Sequence, residues 1–254
     1  TTLNEGDMIS IDGGLGEVYI GELESEPSKL SDEFHTLMEW CDKFRRLTIR
    51  ANAETIIDTE KSLEFGADGI GLCRTEHMFF EGERIIPMRE MIMSDTKQGR
   101  ERALSKLITY QISDFEALFL LLKDKPITVR LLDPPMHEFL PKSDIEITEL
   151  GNAIGVSPAH IKEMLLKLSE SNPMLGHRGV RLGLSYPEIY EMQVEAILRA
   201  SYNLHKNEKL GVSPEIMIPL VMNSEELRQM KEVLTEKISQ LEGELKFTFN
   251  FTIG

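Results

Sequence analysis

The sequence predicts an α/β protein in which helices cover a parallel sheet, and two observations carry this prediction. Short runs of strand character, such as residues 69–73 and 127–132, alternate with longer segments whose apolar residues recur at helical spacing. That alternation is typical of parallel strands connected through helices. The chain has 254 residues, of which 41% are hydrophobic, and this is enough to bury a substantial core.

The N-terminal residues have the pattern of a short β-hairpin. Residues 8–12 and 17–21 have strand character and flank a glycine-rich turn at 13–16. A polar stretch rich in serine and glutamate follows and predicts a linker over 23–33. The next segment, 34–44, carries apolar residues at helical spacing and predicts a helix.

From residue 47 onwards, strand and helix patterns alternate to the end of the chain. The predicted strands are 47–51, 69–73, 127–132, 215–221 and 246–253. The predicted helices are 55–65, 94–106, 114–122, 158–168, 187–206 and 224–241. Segment 136–172 is predicted as a helical insertion after the third of these strands, and Ser157-Pro158 supplies an N-cap and a first-turn proline for its helix. Periodicity alone leaves two architectures open, a doubly wound sheet and a β/α barrel.

Composition restricts the partners that this chain can bind. A formal net charge of −15 argues against a nucleic-acid-binding surface or a polybasic membrane patch, so an anionic substrate has to be held by a few placed cations. Cys41 and Cys73 are too few for a disulfide framework, and no Cys/His spacing indicates structural zinc. No apolar run reaches the roughly 18 residues of a membrane span. We therefore expect no nucleic-acid or membrane partner and a reducing, cytoplasmic location.

Two arginines lie where β/α folds place their active sites, at the ends of strands. Arg74 directly follows the predicted strand 69–73, and Arg130 lies near the end of strand 127–132. Both side chains are expected to project toward the same end of the predicted sheet, at the mouth of a candidate binding site. A guanidinium group is a planar fork that makes paired hydrogen bonds to phosphate or carboxylate oxygens, so these arginines are candidates for binding a small anion. The structural alternative is a surface or ion-pairing arginine.

Polar residues beside these strand ends have two interpretations each. Glu76 and Asp133 lie two and three residues beyond their respective arginines. They are close enough to orient the guanidinium groups, but acidic residues here are also typical helix N-terminal caps. Asn52 comes after the first strand of the alternating region. It is either a residue of the same binding site or an asparagine that favours the turn after a strand.

Three motifs resemble the phosphoenolpyruvate/pyruvate domain of the pyruvate phosphate dikinase family. They are Arg74-Thr-Glu76 with its flanking residues, Leu132-Asp-Pro-Pro-Met-His-Glu-Phe139, and Asn172-Pro-Met-Leu-Gly-His-Arg178. The resemblance runs along essentially the whole chain. It implies an eight-stranded, TIM-type (β/α)8 barrel, of which about five strands are present here.

The resemblance also implies a division of the chain. Residues 1–22 would be the C-terminal end of a swivelling phosphohistidine domain, 23–33 the linker, and 34–254 the first part of the barrel, with the insertion at 136–172. The phosphohistidine itself would lie upstream, and the cysteine proton donor and the acidic magnesium ligands beyond Gly254. No catalytic residue and no metal ligand are therefore expected within the chain.

For the site, the resemblance implies that Arg74 and Arg130 bind phosphoenolpyruvate. It makes Arg178 a third phosphate contact, with Gly176 and Gly179 allowing close approach of the backbone. The alternative is that Arg178 has no ligand and belongs to a glycine-containing loop that packs a helix onto the fold. The second motif favours the dikinase over two relatives, phosphoenolpyruvate synthase and enzyme I of the sugar phosphotransferase system.

The activity implied by the resemblance converts ATP, pyruvate and phosphate to AMP, phosphoenolpyruvate and diphosphate. The parent enzyme would be a homodimer that uses Mg²⁺, and it would lie in the cytoplasm, or in an organelle if it is eukaryotic. The chain alone is expected to be incomplete. The alternative is a module that binds phosphoenolpyruvate or another chain without turnover.

Overall fold

The computed structural model describes residues 2–24, 31–80, 82–168 and 172–254. Backbone contacts divide the chain into two compact units, Thr1–Leu47 and Thr48–Gly254. Residues 25–30, which form most of the predicted linker, and residues 169–171 of the predicted insertion lie outside the described residues.

The first unit contains the predicted hairpin and helix. Strands β1 (Ile9–Asp12) and β2 (Glu17–Ile20) pair antiparallel. Their turn is closed by the Asp12 carboxylate, which accepts hydrogen bonds from two backbone N–H groups at 2.8 and 3.0 Å. Helix α1 (Asp32–Phe44) begins at an N-cap serine, Ser31, whose side chain accepts from the N–H of Phe34.

The second unit carries the remaining strands and helices. Its strands are β3 (Arg50–Asn52), β4 (Gly69–Arg74), β5 (Ile127–Arg130), β6 (Glu215–Met217) and β7 (Thr252–Ile253). Its α-helices are α2 (Ile56–Glu64), α3 (Ile85–Ile92), α4 (Lys97–Leu122), α5 (Asp144–Ile154), α6 (Pro158–Leu168), α7 (Gly179–Ser185), α8 (Pro187–Glu208) and α9 (Ser224–Leu245). Short 3₁₀ helices lie at Thr75–Phe79, Gly82–Arg84, Met136–Phe139 and Pro173–Leu175.

The order of the strands identifies how the second unit is wound. The sheet has five strands in the order β3-β4-β5-β6-β7, and every neighbouring pair is parallel. Each strand therefore lies beside the next strand in the chain. A doubly wound sheet reverses this progression at a switch point, whereas a β/α barrel does not. The structure thus favours the barrel over the open sheet and confirms a partial barrel with about five strands.

The two faces of this sheet differ in character. Along β5, Ile127 and Val129 are buried, whereas Thr128 and Arg130, which alternate with them, are only partly buried. The buried residues join the apolar core that the helices contribute to. The other face carries partly exposed polar side chains, including Arg50 and Glu215. Helices therefore cover one face, and the opposite face is open, as expected for the wall of a barrel.

Two helices differ from the prediction. Segments 94–106 and 114–122 were predicted as separate helices, but α4 is one helix of 26 residues. The intervening β-branched and polar residues are poor helix formers, yet Leu107 and Gln111 lie on its buried face, so tertiary packing overrides local propensity. Helix α5 was not predicted, although Ser143 and Glu146 form a capping box at its start.

The strands are shorter than predicted. The prediction 215–221 was wrong beyond Met217, because Leu220 has a positive φ of 59° that no strand allows. The prediction 246–253 is reduced to β7, and 47–51 to a strand that begins at Arg50. The glycine-punctuated segment after Arg178 forms the short helix α7.

Candidate functional site

The two predicted anion-binding arginines lie side by side. Arg74 ends β4 and Arg130 ends β5, and their Cα atoms are partners in the parallel pairing of the two strands. The side chain of Arg74 is 33% exposed and that of Arg130 is 19% exposed. The structure therefore brings together two residues that are 56 positions apart in the sequence, at the end of the sheet where β/α folds carry their sites.

Arg130 is held by two acidic residues. Its Nη1 lies 3.1 Å from Asp133 Oδ2, and its Nη2 donates to Glu76 Oε1. Both carboxylates are buried. Glu76 thus pairs across the strands with Arg130, while the sequence placed it beside Arg74. The contact agrees with the orienting interpretation of both acidic residues, because two carboxylates on different nitrogens fix the plane of the guanidinium group.

Arg178 joins the same cluster through Asp133. Its Nη2 lies 2.8 Å from Asp133 Oδ2, and its Nε donates to the Asp133 carbonyl oxygen at 3.2 Å. The next residue, Gly179, has a φ of +56°, and a Cβ there would lie 2.7 Å from Leu220 Cβ. Only glycine fits this position without displacement of the backbone. The close packing at Gly179 is against Leu220, and an approach of this backbone to a ligand stays a prediction.

The partner of Arg74 was missed by the sequence analysis. Arg74 Nη1 donates to Glu54 Oε1 at 2.8 Å, and Glu54 Oε2 lies 3.9 Å from His77 Nδ1. Glu54 comes two residues after the end of β3, so it also follows a strand. Its position after a strand end was the available signal, because the carboxyl ends of parallel strands meet at one edge of a sheet.

Asn52 is the last residue of β3, and its Cα partner on β4 is Leu72, two residues before Arg74. It lies at the same edge of the sheet, and its side chain is exposed. Its role in the site stays a prediction.

Hydrogen-bonding capacity remains unused inside the cluster. Among the described residues, Arg130 Nε, Glu76 Oε2 and Asp133 Oδ1 are buried atoms without a hydrogen-bond partner. Buried polar groups are usually satisfied, and an unsatisfied one costs free energy. The Arg130 Nε–H group is therefore a buried donor without a partner among the described residues, while the two carboxylates bind the other guanidinium nitrogens.

Cys73, the neighbour of Arg74, is not activated. It is fully buried, and this burial raises the pKa of the Cys73 thiol well above its usual range, with a smaller contribution from Glu54 and Glu76. A thiol that stays protonated is a poor nucleophile. We assign Cys73 to the core.

In the described part of the chain, no group of three or more His, Cys, Asp and Glu side chains is arranged to hold a metal ion. None of its helices combines the length and the apolar character needed to cross a membrane.

The fold and the site together define a class of protein. A wall of parallel strands in barrel order carries arginine side chains at its strand ends, and arginines there suit a small substrate with phosphate or carboxylate groups. The chain belongs to one family of this class, because the family model described as PEP-utilising enzyme, PEP-binding domain, matches residues 28–254.

Curated relatives extend this match to the whole chain. The chain is 45% identical over 253 residues to a pyruvate, phosphate dikinase of Clostridium symbiosum and covers 29% of that protein. It is 47% identical to the enzyme of the same name from Rhizobium meliloti strain 1021, covering 28% of it. A chloroplastic pyruvate, phosphate dikinase of Flaveria pringlei is 46% identical, and 27% of it is covered. The chain thus spans less than a third of these relatives, and the family resemblance seen in the sequence is confirmed.

Proposed function

We propose that this chain forms the part of a pyruvate phosphate dikinase that binds phosphoenolpyruvate and pyruvate, at the mouth of a β/α barrel. One observation carries the proposal: Arg74 and Arg130 are register partners at the ends of adjacent parallel strands. Two neighbouring guanidinium groups match a ligand that carries a phosphate ester and a carboxylate on the same carbon. The relatives named above support the same assignment.

Each polar residue of the cluster has a separate role in this proposal. Arg130 presents its partly exposed guanidinium charge to the ligand, while Glu76 and Asp133 hold its two terminal nitrogens. Arg178, tied to Asp133, adds positive charge next to Arg130. Arg74 is held by Glu54 and is the most exposed of the three arginines, so it approaches the ligand from the solvent side.

In the parent enzyme, the barrel would transfer a phosphoryl group from a phosphohistidine to the enolate oxygen of pyruvate. The overall reaction converts ATP, pyruvate and phosphate to AMP, phosphoenolpyruvate and diphosphate. The swivelling domain that carries the phosphohistidine is the proposed partner, with residues 1–22 as its end, 23–33 as the linker and 34–254 as barrel. A homodimeric parent and a cytoplasmic or chloroplast-type location are part of the same proposal.

Magnesium is the ion that this family assignment implies. The described residues do not fit it, because they offer no cluster of three ligands and because Glu76 and Asp133 are already engaged by arginines. We therefore assign no metal-dependent step of the reaction to the residues of this chain. The ligands of the ion are proposed to come from the family's later barrel strands.

Isothermal titration of phosphoenolpyruvate into the chain tests the binding site. We expect saturable binding by the unmodified 254-residue chain and loss of binding in the Arg130→Ala variant. Arg228→Ala is the matched control, because Arg228 pairs with Glu225 and Glu232 of its own helix. Circular dichroism would verify that all three proteins are folded. If the unmodified chain is folded and does not bind phosphoenolpyruvate, the proposal is contradicted.

Complementation separates an enzyme from a binding module. The chain would be mixed with a separately produced remainder of a dikinase, and formation of phosphoenolpyruvate from ATP, pyruvate and phosphate would be measured. Turnover that is absent from each part alone and appears in the mixture supports the enzyme. A mixture that binds phosphoenolpyruvate but shows no turnover supports the module.

A further inference from the structure

A buried glutamine on helix α8 links the two strand ends that carry the arginines. Gln193 is fully buried, and the neighbouring residues of its helix are mostly apolar. Burying a side-chain amide without hydrogen bonds is unfavourable. Here both ends of the amide are bonded, and both bonds lead to the loops of the candidate site.

The bonds of Gln193 have a definite direction. Its Oε1 accepts from the backbone N–H of Leu132 at 2.8 Å, and its Nε2 donates to Thr75 Oγ1 at 2.9 Å. The assignment of oxygen and nitrogen follows from chemistry, because a backbone N–H can only donate and the atom facing it must be the acceptor. Thr75 Oγ1 in turn donates to the carbonyl oxygen of Arg130 at 3.0 Å.

The residues at the two ends of this bridge are neighbours of the site. Thr75 lies between Arg74 and Glu76, and Leu132 directly precedes Asp133. Glu76 and Asp133 are the two acidic residues that hold Arg130. The amide of Gln193 thus connects the two backbone segments that carry these carboxylates.

A second residue of α8 supports the same loop. The Tyr190 hydroxyl donates to the carbonyl oxygen of Leu132 at 2.7 Å. Burial raises the pKa of Tyr190 well above its usual range, and the nearby Asp133 carboxylate adds to this, so the hydroxyl stays a donor at neutral pH. One helix therefore bonds both the N–H and the C=O of Leu132.

We propose that Gln193 is a positioning residue of the phosphoenolpyruvate site. Through Thr75 and Leu132 it holds Glu76 and Asp133 at the separation that fixes the Arg130 guanidinium group at the strand end. This inference rests on the proposed function and assigns a role in it to a residue that contacts no ligand.

The test compares Gln193→Met with Gln111→Met. Methionine has nearly the shape of glutamine and makes neither bond of the amide. Gln111 is the matched control, since it is a buried glutamine of α4 whose Nε2 faces Met78 Sδ at 3.9 Å and whose Oε1 has no partner among the described residues. Thr75→Val breaks the same bridge from its other end and serves if Gln193→Met does not fold.

Two readouts are taken on the folded variants. The first is the chemical shift and solvent exchange of the Arg130 Nε–H group by NMR, and the second is the affinity for phosphoenolpyruvate by calorimetry. We expect Gln193→Met to shift the Arg130 signal, to speed its exchange and to weaken binding about tenfold, because small displacements of a binding group have large effects. Gln111→Met should change neither.

The outcomes separate this inference from the proposed function. An unshifted Arg130 signal in Gln193→Met overturns the positioning role, and so does a shifted signal with unchanged affinity. If the parent chain does not bind phosphoenolpyruvate, the proposed function fails, and the Arg130 signal still decides whether Gln193 positions the guanidinium group.

Discussion

The two faces of the five-stranded sheet have different tasks. The helix-covered face is apolar, with Ile70, Ile127, Val129 and Ile216 all at most 1% exposed. The open face carries Arg50, Thr128 and Glu215, which are partly exposed and joined by hydrogen bonds and an ion pair, and Arg130, which pairs with Glu76. Since side chains alternate along a strand, one residue of β5 serves the core and the next serves the site.

This difference shows how a strand can contribute to stability and function independently. Burial of the apolar face stabilises the fold by removing nonpolar area from water. The exposed ion pairs of the polar face contribute little to the free energy of unfolding. Residues on this face can therefore be suited to a ligand without a large loss of stability. Variants of the two faces are expected to separate the free energy of unfolding from the affinity for phosphoenolpyruvate.

The largest expected effect comes from the covered face. Ile127→Ala should lower the free energy of unfolding by about 3 kcal/mol, because it removes three buried carbon atoms and leaves a cavity. Its neighbour Thr128→Ala, on the open face, should cost about 1 kcal/mol, since it loses a hydrogen bond to Glu215 and a longer one from Arg50. Urea denaturation measures both. Equal losses would show that the two faces do not differ in the way described.

Asp133 is where the two tasks meet, because it belongs to the site and is buried. Asp133→Asn should lower the free energy of unfolding by about 2 to 3 kcal/mol, since Arg130 and Arg178 lose the charge that they share. Asp144→Asn is the control. Asp144 pairs with Lys162 at an exposed position, so its replacement should leave the denaturation midpoint unchanged. An Asp133→Asn variant with an unchanged free energy of unfolding would show that the cluster is not an integral part of the fold.

Affinity changes should be confined to the open face. Arg74→Lys should weaken phosphoenolpyruvate binding about tenfold, because lysine keeps the charge but loses the planar fork. The free energy of unfolding should change little. Arg228→Lys provides the control for the same chemical change away from the strand ends. An Arg74→Lys variant with parental affinity would remove Arg74 from the site.

The smallest effect concerns Glu215, whose partners cross the open face. Hydrogen bonding from Arg50 lowers the pKa of the Glu215 carboxyl, and Thr128 adds to this. Because the pKa is lower in the folded state, the carboxylate stabilises the fold at neutral pH. This contribution is lost as the pH falls below about 4.

The glutamate is partly exposed, so its contribution is at most about 1 kcal/mol. The difference in free energy of unfolding between the unmodified chain and Glu215→Gln should be constant near neutral pH and shrink as the pH falls below about 4. A difference that grows at low pH would contradict the sign of the shift.

The sequence was sufficient for the features that repeat along the chain. The strand-helix alternation predicted the α/β class, and strand-end position predicted that Arg74 and Arg130 lie at one edge. The barrel winding could not be predicted from periodicity, because strand order is a property of the folded sheet. The family resemblance supplied that part.

The pairings within the site were not predictable in the same way. Glu76 was expected beside Arg74, its neighbour in sequence, but it contacts Arg130 on the next strand. Glu54 was missed because its partner also comes from another strand. Gln193 was missed because an amphipathic pattern does not show which polar residue of a buried helix is hydrogen-bonded inside.

Mapping the bound ligand by NMR tests the division between the two faces most directly. Phosphoenolpyruvate would be added to the isotopically labelled chain, and the shifts of backbone amides, arginine Nε–H groups and isoleucine methyl groups would be recorded. We expect the largest changes at Arg74 and Arg130, with small ones at the methyl groups of Ile127 and Ile216. Changes concentrated on the covered face, with none at the two arginines, would contradict the assignment of binding to the open face.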